Sequence, residues 1–178
     1  MKTPRSVHIL LTALAAPLAL SGCSVFDKSV PPPCPPVYIL SDASHLTKYR
    51  AGSGRDLTDV ELEAEIVGFK GGCSYDEKGG EVILQLGFEV KRGPAAKTRD
   101  FQLDYFIAIP KFFPDPAAKA VFTVPVKFPE GMDVARTTDE EVSLRIPVKT
   151  KQIINEYEIY LGFQVTPEEL ELNRRAKH

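Results

Sequence analysis

The sequence predicts an all-β fold, an antiparallel sandwich of seven short strands followed by one short C-terminal helix. Three observations carry that prediction. Apolar residues recur at every second position in several separate runs, the period of a half-buried strand. Glycine and proline, 12 and 15 of the 178 residues, fall between those runs and punctuate them as turns. No internal stretch sustains a helical period, and no repeat of fixed length appears, which leaves packed sheets as the way to bury the apolar faces.

The chain opens with a short basic start, Met1-Lys2-Thr3-Pro4-Arg5, followed by an apolar run from Val7 to Leu20. This charged-then-apolar layout is that of a secretory signal, too short for a stable membrane span. It ends in Leu20-Ser21-Gly22-Cys23, a cysteine behind two small residues and a leucine. That stretch resembles the lipobox of bacterial lipoproteins. The resemblance implies that residues 1–22 are a signal peptide cut away after Gly22. It also implies diacylglycerol on the sulfur of Cys23 and an acyl chain such as palmitate on the new N-terminus. The alternative is an ordinary signal peptide cleaved near Ala19 or Gly22, leaving a free thiol. Ser24, where an aspartate would stand in the best-known sorting rule, resembles an outer-membrane address. The implied location is therefore the cell envelope, on the outer membrane and facing the periplasm.

Residues 23–36 read as a lipidated, proline-rich tether. Pro31-Pro32-Pro33 and Pro35-Pro36 favour extended polyproline geometry and remove donors from any sheet. From Cys23 to Cys34 such a segment spans roughly 30 Å at most, at on the order of 3 Å per residue. The sandwich domain is expected over 37–178. Val37 to Leu40 is a short apolar strand, and Ala43 to Leu57 a polar connection containing Gly52-Ser53-Gly54. Val60, Leu62, Ala64 and Ile66 alternate with Asp59, Glu61, Glu63 and Glu65, and this strand continues past Gly71-Gly72 through a bulge into a turn at Gly79-Gly80. Val82 to Val90, Phe101 to Ile109, Val121 to Phe128, Val142 to Val148 and Tyr157 to Val165 supply the remaining runs. Pro125 and Pro147 place two of them at sheet edges or strand ends, because proline cannot donate to a ladder. Thr166-Pro167-Glu168-Glu169 then starts a helix with a capping hydroxyl, a first-turn proline and two acids at its positive end.

Tyr157-Glu158-Ile159, late in the chain, is similar to the tyrosine-bearing late strand of immunoglobulin-like and fibronectin type III domains. The chain has no tryptophan, and its cysteines do not match the spacing of the immunoglobulin inter-sheet bridge. The body as a whole is similar to an uncharacterised family of bacterial envelope lipoproteins that share a Cys-Pro start and a stretch such as Gly162-Phe163-Gln164-Val165-Thr166. That resemblance implies no activity.

Cleavage before Cys23 leaves 156 residues, one domain with a core that needs no metal. Without Lys2 and Arg5, 20 basic residues face 24 acidic ones. The resulting formal charge of −4 lacks the basic footprint of a nucleic-acid binder. With Cys23 committed to lipid, Cys34 and Cys73 remain, and in an oxidising envelope a disulfide between them is the simplest use. It closes a loop of about 40 residues, worth roughly 4 kcal/mol in the chain-entropy model. The alternative, a metal pair with His45, lacks the spacing of a zinc site.

Catalytic chemistry has little to build on. His8 leaves with the signal and His178 is the last residue, so a triad would rest on His45, which the pattern puts in a solvated loop. The acidic row Asp59, Glu61, Glu63, Glu65 reads as an outward strand face that resists edge pairing, the alternative being a cation or basic-partner surface. Lys91, Arg92, Lys97 and Arg99 flank Gly93-Pro94, as solubilising charge or as a contact for anionic envelope groups. No catalytic residue, cofactor or metal is expected. In Lys111-Phe112-Phe113-Pro114-Asp115-Pro116 two adjacent phenylalanines cannot both face one core in an extended chain. One is expected to plug the end of the sandwich and the other to offer a contact to a partner or a membrane surface. The expected function is a non-enzymatic, lipid-anchored envelope module that binds a protein or cell-wall component such as peptidoglycan, or supports envelope assembly. The alternative is a carrier of a small apolar or envelope-derived ligand in a sandwich cavity.

Overall fold

The structure, a computed structural model, describes residues 33–52, 54–147 and 154–176. The signal at 1–22, the lipidation residue Cys23, the tether up to Pro32 and His178 lie outside the described residues.

Nine strands form among the described residues, in two sheets, and one α-helix follows them. They are β1 (Val37–Ile39), β2 (His45–Tyr49), β3 (Val60–Asp76), β4 (Gly79–Arg92), β5 (Asp100–Ala108), β6 (Lys119–Lys127), β7 (Val134–Thr138), β8 (Val142–Pro147), β9 (Ile159–Phe163) and α1 (Pro167–Arg175). The first sheet runs β1-β9-β5-β6 and the second β2-β3-β4, with β7 and β8 sharing the far edge of β4. The all-β sandwich stands, but seven strands become nine. The two additions, β2 and β7, are edge strands with little apolar signal: β2 buries one side chain, Leu46, and β7 turns only Ala135 and Thr137 partly inward. The sandwich is also not wholly antiparallel, because β1 pairs parallel with β9.

The alternation read from sequence becomes the core. Val82, Leu84, Leu86, Phe88 and Val90 of β4 face Leu103, Tyr105 and Ile107 of β5 and Ile159, Leu161 and Phe163 of β9 in one buried cluster. Phe88 lies 5.4 Å from Tyr105 and 5.9 Å from Phe163, ring centre to ring centre, and so joins the two sheets. Gly80 lets the chain approach closely here: a Cβ on it would come within 2.4 Å of Ile154 Cδ1.

One bulge re-aims half of β3. Ile66 lies opposite Phe88, whereas Phe69 lies opposite Leu86, so β3 advances three residues while β4 advances two. The extra residue, Val67, is 55% exposed, and Gly68 beside it takes φ of +157°, where a side chain would be strained. Before the bulge even-numbered residues face the core; beyond it Cys73 and Tyr75 do.

Pro125 sits where the edge-strand reading puts it. Phe128 N donates to Arg99 O and Ile109 N donates to Ala118 O, so even-numbered residues of β6 bond to β5 and odd-numbered ones point away. Pro125 therefore removes no ladder bond. Pro147 closes β8, also an edge.

Asp139, between β7 and β8, ties the sheets together. Its N–H donates to Leu86 O, its C=O accepts from Gln85 Nε2, and its Oδ2 accepts from the hydroxyl of Tyr105, 2.5 Å away. Burial, reinforced by that bond and by the carboxylate's charge, holds the Tyr105 hydroxyl well above the ordinary tyrosine range. The folded state thus keeps a proton that an unfolded chain releases near pH 10, so this contribution is present below that pH and is lost as pH rises above it. Tyr105→Phe is expected to cost about 1–3 kcal/mol at neutral pH. Urea titrations should also show the stability of the variant falling less steeply than that of the parent above pH 10.

Helix α1 has the capping box read from sequence, Thr166 with Glu169, and Pro167 in its first turn. It docks through Asn173 Nδ2, which donates to Asp42 O and His45 O, and through ion pairs of Arg174 with Asp42 and of Glu168 with Arg55.

Candidate functional site

The chemistry-bearing side chains that the sequence singles out fall into two groups, those engaged in holding turns and those gathered at one end of the sandwich. Arg92 donates to Thr98 O and Ala96 O, and Arg99 to Phe128 O, Pro129 O and Met132 O. Both guanidiniums therefore close loops, and of the basic turn Lys91 and Lys97 remain as exposed charge. The acidic row is also divided. Glu63 and Glu65 stand exposed and Glu61 partly so, but Asp59 ends a 3-10 turn (Leu57–Asp59) and is buried at 3% exposure. Its Oδ2 accepts from Asp56 N, and its Oδ1, 2.5 Å from Arg50 Nη2, makes no hydrogen bond, so one backbone bond and one opposite charge offset its burial. Among the described residues no cluster of three or more His, Cys, Asp or Glu is placed to hold a metal ion.

His45 starts β2 rather than sitting in a loop, because Leu46 beside it is drawn into the core. Its Nδ1 is 2.8 Å from Ser44 Oγ and its Nε2 is 3.5 Å from Glu65 Oε1. The Ser-His-Glu string looks catalytic on paper. Ser44 Oγ, however, also lies 3.0 Å from Ser41 O, a carbonyl that competes with the imidazole for the one hydroxyl proton. The histidine side chain is also 57% exposed, without the enclosure that strengthens such chemistry.

The other end of the sandwich is built differently. β1 and β9 begin there, β5 finishes there, and β3 turns into β4 through Glu77 and Lys78. The incoming chain is fastened at this end. Cys34 is bonded to Cys73, with Cα atoms 5.7 Å apart, and the Tyr75 hydroxyl donates to Pro33 O at 2.6 Å. Pro36 O accepts from Ile159 N, which starts the parallel pairing of β1 with β9. The domain thus takes in Pro33–Pro36, four residues read from sequence as tether. The bulge at Val67 makes the bridge possible, since it brings Cys73 round to the core face. Tyr75, two residues on, shares that face; the period of two after Cys73 was its only sequence signal.

Between β5 and β6 the chain makes two 3-10 turns, Pro110–Phe112 and Pro116–Ala118. They separate the two phenylalanines. Phe112 packs against the core, its ring centre 5.4 Å from that of Tyr157, while Phe113 is 80% exposed. Lys111 Nζ lies 4.5 Å over the Tyr157 ring and 2.9 Å from Glu156 Oε2. Lys119 Nζ lies 4.3 Å over the ring of Phe106. Sequence reasoning did not single out Tyr157 or Glu156 as neighbours of this loop, because they come from a segment distant in the chain. Phe112→Ala is expected to cost about 2 kcal/mol, below the 3–5 of a fully buried phenylalanine. Phe113→Ala should change stability by less than about 0.5 kcal/mol. Thermal melts of the two variants check this, and equal losses would make the segment plain core.

Among the described residues two open grooves of about 700 Å³ each follow β6: one lies between Phe122–Pro125 and Thr137–Ser143, where the edges of the two sheets meet, and the other is lined by Lys48, Asp100–Gln102 and Pro125–Lys127. Compared with known proteins, the chain matches no family model, no curated protein and no solved structure.

Proposed function

We propose that the protein is a lipid-anchored, non-enzymatic module of the cell envelope that acts through its surface, by binding a protein or cell-wall component or by supporting assembly. The filled interior carries this choice over a ligand carrier: the side chains of both sheets meet in one buried cluster, and the grooves are open ones along the sheet edges. The anchor belongs to the same proposal and rests on the signal-like start, on Leu20-Ser21-Gly22-Cys23 and on Ser24 for the outer membrane. The disulfide at Cys34 suits that role, because it fixes where a leash from Cys23 would join the body. The finer likeness to immunoglobulin and fibronectin type III domains is also proposed, on the two packed sheets and on Tyr157 ahead of the last strand.

Cys23→Ala should abolish incorporation of radioactive fatty acid and leave an unprocessed or mislocalised protein. Equal label on the variant would overturn the anchor. Native mass spectrometry of the body, extracted from envelopes without added ligand, tests the other half. The bare mass is expected; a co-purifying apolar molecule would make the protein a carrier.

A further inference from the structure

We infer that the end of the sandwich bearing Phe113 docks on the surface of the bilayer to which Cys23 is anchored. The inference rests on the lipid-anchor reading and deepens it, by naming the side of the body that meets the membrane and the residue that enters it.

Two independent features coincide at this end. The first is the exit of the leash. Described structure begins at Pro33, whose carbonyl is held by Tyr75 and whose neighbour Cys34 is bonded to Cys73, so the leash cannot migrate to another part of the surface. The segment from Cys23 to Pro33 is short and proline-rich, with a reach of roughly 30 Å when fully extended. That is about the length of one nine-residue strand such as β5. The far end of the sandwich, where Leu57 lies, is therefore a strand length further from the bilayer whenever the leash is taut. The end with Phe113 is the part of the body always within reach of the headgroups.

The second feature is the chemistry presented there. Phe113 is 80% exposed, beside a partner residue that already fills the core position, so nothing in the body requires an aromatic ring at this point. Apolar and aromatic side chains on a peripheral protein gain free energy by entering the boundary between headgroups and acyl chains. Lys119, exposed, holds its ammonium over the ring of Phe106 and offers a cation to a lipid phosphate, whereas the Lys111 ammonium lies over the ring of Tyr157 and is paired with Glu156. Of the acids at this end, Glu156 pairs with Lys111 and Asp76 with Arg145, Asp115 accepts from Ala117 N, and Glu77 stands exposed beside Lys78 in the β3–β4 turn. One phenyl ring binds a membrane weakly by itself. Tethering makes the contact intramolecular, and at the effective concentration of a short leash a weak contact suffices to orient the body.

The chain has no tryptophan, so a single substitution gives an unambiguous probe. Phe113→Trp in the full processed lipoprotein is reconstituted into vesicles of phosphatidylethanolamine and phosphatidylglycerol. Leu57→Trp, equally exposed at 80% but at the far end, serves as the comparison. Docking predicts that emission from the probe at 113 shifts to shorter wavelength on reconstitution and is quenched by lipids carrying a nitroxide near the headgroup. The probe at 57 should do neither. If the protein floats with the vesicles but both probes keep the emission of water, docking is overturned while the anchor stands, and Phe113 passes to a protein partner. If the processed protein does not float with vesicles at all, anchor and docking fall together.

Discussion

Replacing Phe88 by alanine should destabilise the domain by about 3–5 kcal/mol, the range for truncating a fully buried phenylalanine. Phe88 is at 0% exposure near the middle of the longest shared pairing, and its ring contacts Tyr105 of β5 and Phe163 of β9 in the opposite sheet. Truncation removes the apolar burial and leaves a cavity that the surrounding strands can fill only partly, because both sheets are held by their ladders. Phe88→Leu keeps most of the volume and should cost less than half as much. Guanidinium unfolding of the isolated body measures both. A loss below about 1 kcal/mol for the alanine variant would mean that the two sheets are not packed through this ring.

Removing the disulfide should have a comparable effect by a different route. Cys34 and Cys73 are 39 residues apart, and opening a loop of that size costs roughly 4 kcal/mol in the chain-entropy model. Here the consequence is also local. β1 has three residues and one neighbour, β9, so it depends on the bridge to stay in register. With Cys34→Ser and Cys73→Ser together, hydrogen exchange at residues 37–40 should quicken before exchange in β4 does. Non-reducing peptide mapping of envelope material should recover the two cysteines linked, and the parent treated with reductant should reproduce the double variant. Unchanged stability after reduction would show that the bridge fastens the chain without stabilising the domain.

The two predictions differ in how much of them the sequence contains. Phe88 lies in the cleanest alternation of the chain, and its burial follows from period two. For the cysteines, counting and compartment suggest the pair, but simple alternation from Leu62, Ala64 and Ile66 would put Cys73 on the outer face of β3. The bulge at Val67 reverses that, through a long-range choice of register between β3 and β4. Asp59 shows the same limit. It continues the acidic alternation in sequence, yet it belongs to the preceding 3-10 turn and points inward to Arg50. Arg92 and Arg99 read as surface charge, because a side chain that caps loop carbonyls looks the same in sequence as one in solvent. At the candidate site, adjacency alone made legible that one of Phe112 and Phe113 faces the core; that it is Phe112 was decided by packing against Tyr157.

By itself, then, the sequence determined the properties that depend on near neighbours. These are the faces of β4, β5, β6 and β9, the edge positions of Pro125 and Pro147, the capping of α1, and the pairing of the only two cysteines left after Cys23. Each follows from side-chain period, backbone chemistry or counting. Tertiary structure alone decided that β1 lies parallel to β9, that Asp139 bridges the sheets to Tyr105, and that Tyr157 and Glu156 gather under Lys111 and Phe112. It also decided that Phe113 and the fastening of the incoming chain share one end of the body. Those outcomes join segments between 34 and 122 residues apart, where no local preference acts. The partner is set by which packing of two whole sheets leaves no apolar face uncovered and no buried polar group unmatched.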